Sequence, residues 1–202
     1  MPYRLLDLVP RVQSLFSQID QGIVEFQLKT GLRCIAGCGQ CCAEADVFTT
    51  VLEMLPVAHE ILCRGKADYW LSRINEQIPN NLCVFYRAEI AAEDPGHCTS
   101  YLLRPSICRL FGYAAVRSRR GSKILGVCKA VKPFNSEAAT RAVELQDEAL
   151  SFPEIGSQVY AQDPVLGSRL LPINHALREA LMCLGLQMQI AQSENLGNTT
   201  AA

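Results

Sequence analysis

Charge is scarce in this chain of 202 residues: only 19% are Asp, Glu, Lys or Arg, and the net charge is −1. A general nucleic-acid binder carries a basic excess, so a pI near 6.3 argues against nucleic acid as a partner. Long hydrophobic runs are lacking too. No stretch of roughly 18 apolar residues is free of charge, so no membrane span is expected. The opening MPYRLLDLVPRVQSLF is broken by Asp7, Pro10 and Arg11, with no small-residue cleavage site after it. It does not read as a secretory signal, and a cytoplasmic protein with reduced thiols is expected. There is no Gly-rich phosphate loop and no Ser-His-Asp set. The reading leans away from an enzyme, and nothing indicates a substrate. No internal repeat or linker divides the chain.

What is present is a globular composition with an excess of one residue. Hydrophobic residues make up 49%, enough for a core that needs no metal or disulfide to fold. Ten of the residues are cysteine. That is roughly 5%, below the level of a small disulfide scaffold. In a reducing compartment such cysteines point to metal binding or catalysis.

The densest cluster is CIAGCGQCC, from Cys34 to Cys42: four cysteines within nine residues, with Gly37 and Gly39 between them. Thiolates crowded in this way repel one another unless a cation lies among them. A loop that curls around a cation benefits from glycine, which tolerates positive φ. Its backbone N–H groups can then point at sulfur. Cys34 with Cys38, and Cys38 with Cys41, have chelate-type spacing. Cys41 and Cys42 are adjacent, and adjacent side chains tend to point apart. They suit two irons of one cluster, or two separate metals, better than a single zinc. Zinc and iron–sulfur sites both close with four ligands. With four more cysteines downstream, a second site or a choice of four from eight remains open.

The rest of the chain reads as mainly α. Val12, Leu15, Phe16, Ile19 and Ile23 recur at helical spacing, with Pro10 suited to a first turn. TTVLEMLPVAHEILCRG predicts a second helix, with Thr49 or Thr50 as N-cap, Glu53 in the capping-box position, a kink or shortening at Pro56 and a stop at Gly65. ADYWLSRINEQI predicts a third, ending before Pro79. Residues 80–130 carry loop signals such as NN and EDPGH, and YAAVRSRRGSKILGV predicts a small β-hairpin. SEAATRAVELQDEAL predicts a helix capped by Ser136. FPEIGSQVYAQDPVLG predicts a connecting loop, and PINHALREALMCLGLQMQIAQ a final helix. The expected organisation is one cysteine-rich metal-binding domain over 1–192: a metal core at about 30–130, C-terminal helices at 136–192, and a disordered tail at 193–202. Helices then surround an irregular cysteine-rich centre.

The downstream cysteines sit in LCVFYRAEIAAEDPGHCTSYLLRPSICRLFGY, followed by Cys128. The knot together with the order C…C-x-x-Y…R-P-x-x-C-R-x-F resembles the YkgJ-type CxxCxxCC family, described as zinc- or iron-chelating domains. The resemblance spans roughly residues 30–130. It departs from the family name in one place: three residues, not two, separate Cys34 from Cys38. It implies the metal ligands Cys34, Cys38, Cys41, Cys42, Cys83, Cys98 and Cys108, with Cys128 as an eighth. The residues themselves add that Pro105 can start a short helix carrying Cys108. Arg104 and Arg109 then lie near enough to offset the negative charge of a zinc tetrathiolate or a four-iron cubane, a cofactor-binding role. Loop-bracing ion pairs are the competing assignment for both arginines. Flagellin lysine methylases share the cysteine motif but are longer.

Plainer explanations hold for the other candidates. Cys63 and Cys183 fall in apolar helices and read as packed thiols. His59 and Cys63 share a helical face as a weak ligand pair. His97 can replace a cysteine or orient the loop. RSRRGSK is better explained as a solvated hairpin turn than a nucleic-acid patch. The favoured function is a metal-binding protein holding an iron–sulfur cluster, ahead of zinc. It would serve in metal handling, assembly of another complex, or as a metal-stabilised interaction module with a protein partner. The alternatives are an iron–sulfur-dependent modifying enzyme of methylase type, and a thiol-redox enzyme using Cys38-Gly-Gln-Cys41.

Overall fold

A computed structural model describes residues 5–35, 38–77, 82–88, 96–129 and 131–199, with side chains through 193. The long helix α1, Leu5–Thr30, presents Leu8, Val12, Leu15, Ile19 and Phe26 as one buried stripe at helical spacing. It packs on α2, Val51–Cys63, which packs in turn on the final helix α7, Ile173–Thr199. Leu52, Leu55, Leu177 and Leu184 are fully buried among these helices. Each such side chain stabilises the fold by about 1.5–3 kcal/mol relative to exposure. A short helix α3, Ala67–Gln77, packs on α7 and on α2.

Small sheets bring distant segments into register. β1, Phe48–Thr50, pairs antiparallel with β7, Leu170–Pro172, and so joins the start of α2 to the start of α7. β2, Tyr86–Arg87, pairs with β3, His97–Cys98. The short helix α4, Ser106–Leu110, follows. The expected hairpin is present as β4, Ala114–Arg117, and β5, Lys123–Leu125, turning at Gly121 with φ 85°. After α5, Ser136–Glu144, the strand β6, Leu150–Ser151, joins β4 in parallel. Then comes α6, Phe152–Gln162. A second, smaller apolar cluster under the hairpin includes Phe26, Leu32, Ala115, Val127 and Ala142.

The mainly α fold with small sheets agrees with the sequence reading, and several local expectations are corrected. FPEIGSQVYAQ is helix α6, not loop: Pro153 fits its first turn, and Ile155 and Val159 bury one face despite Gly156. The N-cap of α5 is Asn135, whose side chain accepts from the Ala138 N–H, not Ser136. α5 ends at Glu144, well short of Leu150. Pro10 lies inside α1 rather than in its first turn, and Pro56 does not shorten α2, which runs on to Cys63. α7 runs through Thr199 where a disordered tail from 193 was expected; Ser193 Oγ donates to the Gln189 carbonyl, a bond compatible with continued helix. Ile78 to Asn81, most of the EDPGH stretch and residues 200–202 lie outside the described residues. Among the described residues, no helix is long and apolar enough to cross a membrane.

Candidate metal centre

The knot closes by contact between two glycine backbones. Gly39 caps a single 3-10 turn, Gln40–Cys42, and a Cβ added there would lie 2.3 Å from the Gly96 carbonyl oxygen. Only glycine allows that approach, and Gly96 itself has φ 68°. The contact lays the knot against β3, whose second residue is Cys98. A third glycine, Gly112, has φ 83°, and a Cβ there would meet the Cys128 Cβ at 3.1 Å. That close packing sets Cys128 beside the end of α4.

Three polar residues hold the remaining segments. Asn174, buried at the start of α7, clamps both sides of Cys83: its Oδ1 accepts from the Val84 N–H at 2.9 Å and its Nδ2 donates to the Leu82 carbonyl at 2.7 Å. Glu53 does more than cap its own helix. The capping box with Thr50 is present, as expected, and the carboxylate also accepts from the Ser106 N–H at 2.9 Å and from the Ser106 hydroxyl. Ser106 opens α4, two residues before Cys108. Near the open end, the Cys34 N–H donates to the Tyr113 hydroxyl at 2.6 Å.

The eight predicted cysteines thereby line two cavities that share Cys41, Cys98 and Cys108. An open cavity of about 790 Å³ is lined by Cys34, Cys38, Cys41, Cys98, Cys108 and Cys128. A much smaller cavity of about 20 Å³ is lined by Cys41, Cys42, Cys83, Cys98 and Cys108, with no carboxylate among the described residues of its wall. All ten cysteines are free thiols. Among the described residues, no three Cys, His, Asp or Glu side chains stand close enough to hold a metal ion as they are. The sulfurs surround the cavities rather than converging on one point. As a donor set they suit thiophilic metals, because soft thiolates select zinc, copper(I) and iron–sulfur clusters over hard cations.

The thiols differ in acidity for identifiable reasons. Hydrogen bonding from Cys42 lowers Cys41 to about 6, aided by Arg104 and opposed by burial. The same kind of bond lowers Cys98 to about 7. Cys42, bonded to both Cys41 and Cys98, is pushed up. Burial raises Cys83 to about 12 and also raises Cys108. Cys34 is raised by burial and then by Cys38, Cys41 and Cys128.

The two arginines part company. Arg104 stacks over the Tyr101 ring at 3.4 Å, donates from Nε to the Tyr101 carbonyl at 2.9 Å, and lines both cavities. No carboxylate pairs with it among the described residues. The Arg109 guanidinium is buried, with an acceptor at each of its three nitrogens. It pairs with Asp20 on α1, donates to the Leu102 and Arg104 carbonyls, and sits 4.5 Å over the Phe16 ring. These bonds make Arg109 a brace between α1 and the loop before α4, although it too lines the open cavity. Cys63 and Cys183 lie away from both cavities; Cys63 contacts His59 Nε2 at 3.5 Å on the exposed face of α2. His97 is exposed and lines the open cavity. Sequence reasoning missed Asn174 and Tyr113, and it saw Glu53 only as a cap. Their partners are remote in the chain and leave no local pattern.

Comparison with protein families matches residues 33–137 to the CxxCxxCC family, described as a "Putative zinc- or iron-chelating domain". The chain belongs to this family. The match covers just over half of the chain, from the start of the knot to the first turn of α5. It supports metal binding as the general property of this CxxCxxCC protein. No curated protein and no solved structure matches the chain.

Proposed function

We propose that this CxxCxxCC protein holds an iron–sulfur cluster, alone or together with zinc, through cysteines drawn from the knot, β3, α4 and the loops around them. The observation that carries the reading is a difference between two neighbours: Cys41 lines both cavities, whereas Cys42 lines only the small one. Adjacent thiols reached from different spaces suit two metal atoms, which favours a cluster over a lone zinc. Arg104, at the wall of both spaces, offsets the negative charge of the metal–thiolate group. The ten free thiols fit a reducing compartment such as the cytoplasm.

The biological role assigned here is metal handling, assembly of another complex, or a metal-stabilised interaction module. The mouth of the open cavity supports a protein partner: Val24, Tyr101, Leu102 and Phe111 are exposed apolar side chains around it. Anaerobic purification followed by iron, sulfide and zinc analysis with a visible absorption spectrum tests the proposal. Iron with matching sulfide and a broad thiolate-to-iron absorption supports the cluster. Zinc alone favours the simpler site, and metal-free protein under every condition rejects the proposal.

A second reading is thiol–disulfide chemistry at Cys38 and Cys41. The lowered Cys41 thiol favours it, since reactive cysteines are those with thiolate character and access. A metal-free protein that cycles between dithiol and disulfide forms would support this reading.

A further inference from the structure

Cys34, Cys38 and Cys128 line only the open cavity, Cys42 and Cys83 only the small one, and Cys41, Cys98 and Cys108 line both. Cys34 is influenced by Cys38, Cys41 and Cys128. Cys42 is hydrogen-bonded to Cys41 and to Cys98, Cys83 is influenced by Cys98 and Cys41, and Cys108 by Cys83, Cys41 and Cys98. Cys41 therefore neighbours members of both sets, and its adjacency to Cys42 decides which it joins. The ends of the range of access differ: Cys42 and Cys83 are buried and Cys34 is exposed, while Cys38, Cys41, Cys98, Cys108 and Cys128 are half-buried.

We propose that the eight cysteines form two four-thiol metal positions of unequal access. The sheltered position uses Cys42, Cys83, Cys98 and Cys108; the open one uses Cys34, Cys38, Cys41 and Cys128. The inference rests on the metal-binding reading above and adds how the ligands are shared. Four ligands close either a zinc or an iron–sulfur site, so eight cysteines supply two with none left over. The cavity among the sheltered group, about 20 Å³, has room for a body the size of one water or one ion. The open group borders about 790 Å³, with room for a cluster or for a ligand arriving from outside. Assigning Cys41 and Cys42 to different positions also avoids the tight ring that adjacent ligands on one ion would impose. The sheltered metal is then structural, and the open one exchanges.

Timed release into EDTA, with zinc, iron and sulfide measured per chain, tests the division on anaerobically purified protein. Two populations are expected, one released rapidly and one retained. A Cys34→Ser, Cys128→Ser double variant should lose the rapid population and keep the retained one at wild-type stoichiometry, with an unchanged helical circular dichroism signal. Cys83→Ser should deplete the retained population. If it fails to fold, the double variant alone still decides. Release in one phase, or loss of both populations in the double variant, overturns the division while leaving metal binding intact. Absence of any metal, even after reconstitution with Zn²⁺, overturns both.

Discussion

Gly39 and Gly96 meet backbone to backbone, and a Cβ on Gly39 would lie 2.3 Å from the Gly96 carbonyl oxygen. The neighbouring atoms are main chain, so no flexible side chain can yield. Gly39→Ala should therefore push the knot away from β3 and separate Cys41 and Cys42 from Cys98. A loss of about 1–3 kcal/mol in stability is expected from the overpacking. Metal content should fall with it. Chemical denaturation and metal analysis of the variant check both; an unchanged metal content would show that the contact does not set the site.

Asn174 gives a second test. Asn174→Ala strips the partners from the Val84 N–H and the Leu82 carbonyl, which flank Cys83. Two buried polar groups left unpaired cost about 1–3 kcal/mol each. Asn174→Asp keeps an acceptor for the Val84 N–H but sets a buried carboxylate against the Leu82 carbonyl, so it should not restore the wild-type stability. Thermal melts of the two variants, read together with metal content, test whether the clamp holds Cys83 in place.

Glu53 links the N-terminus of α2 to the start of α4. Glu53→Gln keeps the shape and an acceptor but exchanges an ionised acceptor for an amide that also brings donors. Glu53→Ala also deletes the capping box, worth about 1 kcal/mol. The order of stability should be wild type, Gln, Ala, in urea denaturation. Ser106→Ala, which removes only the hydroxyl bond to Glu53, should fall between wild type and Glu53→Ala. Equal stability of all four proteins would show that the link is idle.

Cys63 and Cys183 should be dispensable. Both lie outside the two cavities, Cys63 exposed and Cys183 half-buried on α7, where it donates to the Ala180 carbonyl at 3.6 Å. Changing both to Ala should leave metal stoichiometry intact and cost at most about 1–2 kcal/mol. Loss of metal in this double variant would show that the ligand set is wrong.

Removing the metal should loosen the centre and spare the helices. The described residues between Cys83 and Cys128 form short strands, a five-residue helix and turns. α1, α2 and α7 have their own buried faces. Hydrogen exchange should show protection lost between Cys83 and Cys128 and kept in Val12–Ile23 and Ile173–Met188. The behaviour is unlike that of a zinc finger, which unfolds outright. Uniform protection across the segment with and without metal would raise the thiol-redox reading.

What the sequence revealed followed range. The capping box at Thr50 and Glu53, the stripe on α1 and the hairpin around Gly121 are local patterns, and each is where the residues placed it. α6 was hidden because Pro153 and Gly156 read as loop, while the buried pair Ile155 and Val159 is a weak signal in eleven residues. The cysteines announced themselves by type and density, but their grouping did not. That grouping depends on Gly39 meeting Gly96, Gly112 meeting Cys128 and Asn174 reaching Cys83, all contacts between segments far apart in the chain. Arg109 was open to two roles for the same reason: Asp20, which occupies it, lies on α1.

X-ray absorption spectroscopy at the edge of the bound metal is the most direct test of cysteine ligation. The account predicts a first shell of sulfur alone, four per metal, with distances near 2.3 Å if the metal is zinc. An iron–sulfur cluster would add iron–iron scattering. A first shell dominated by nitrogen or oxygen, as if His97 or carboxylates held the metal, would contradict it.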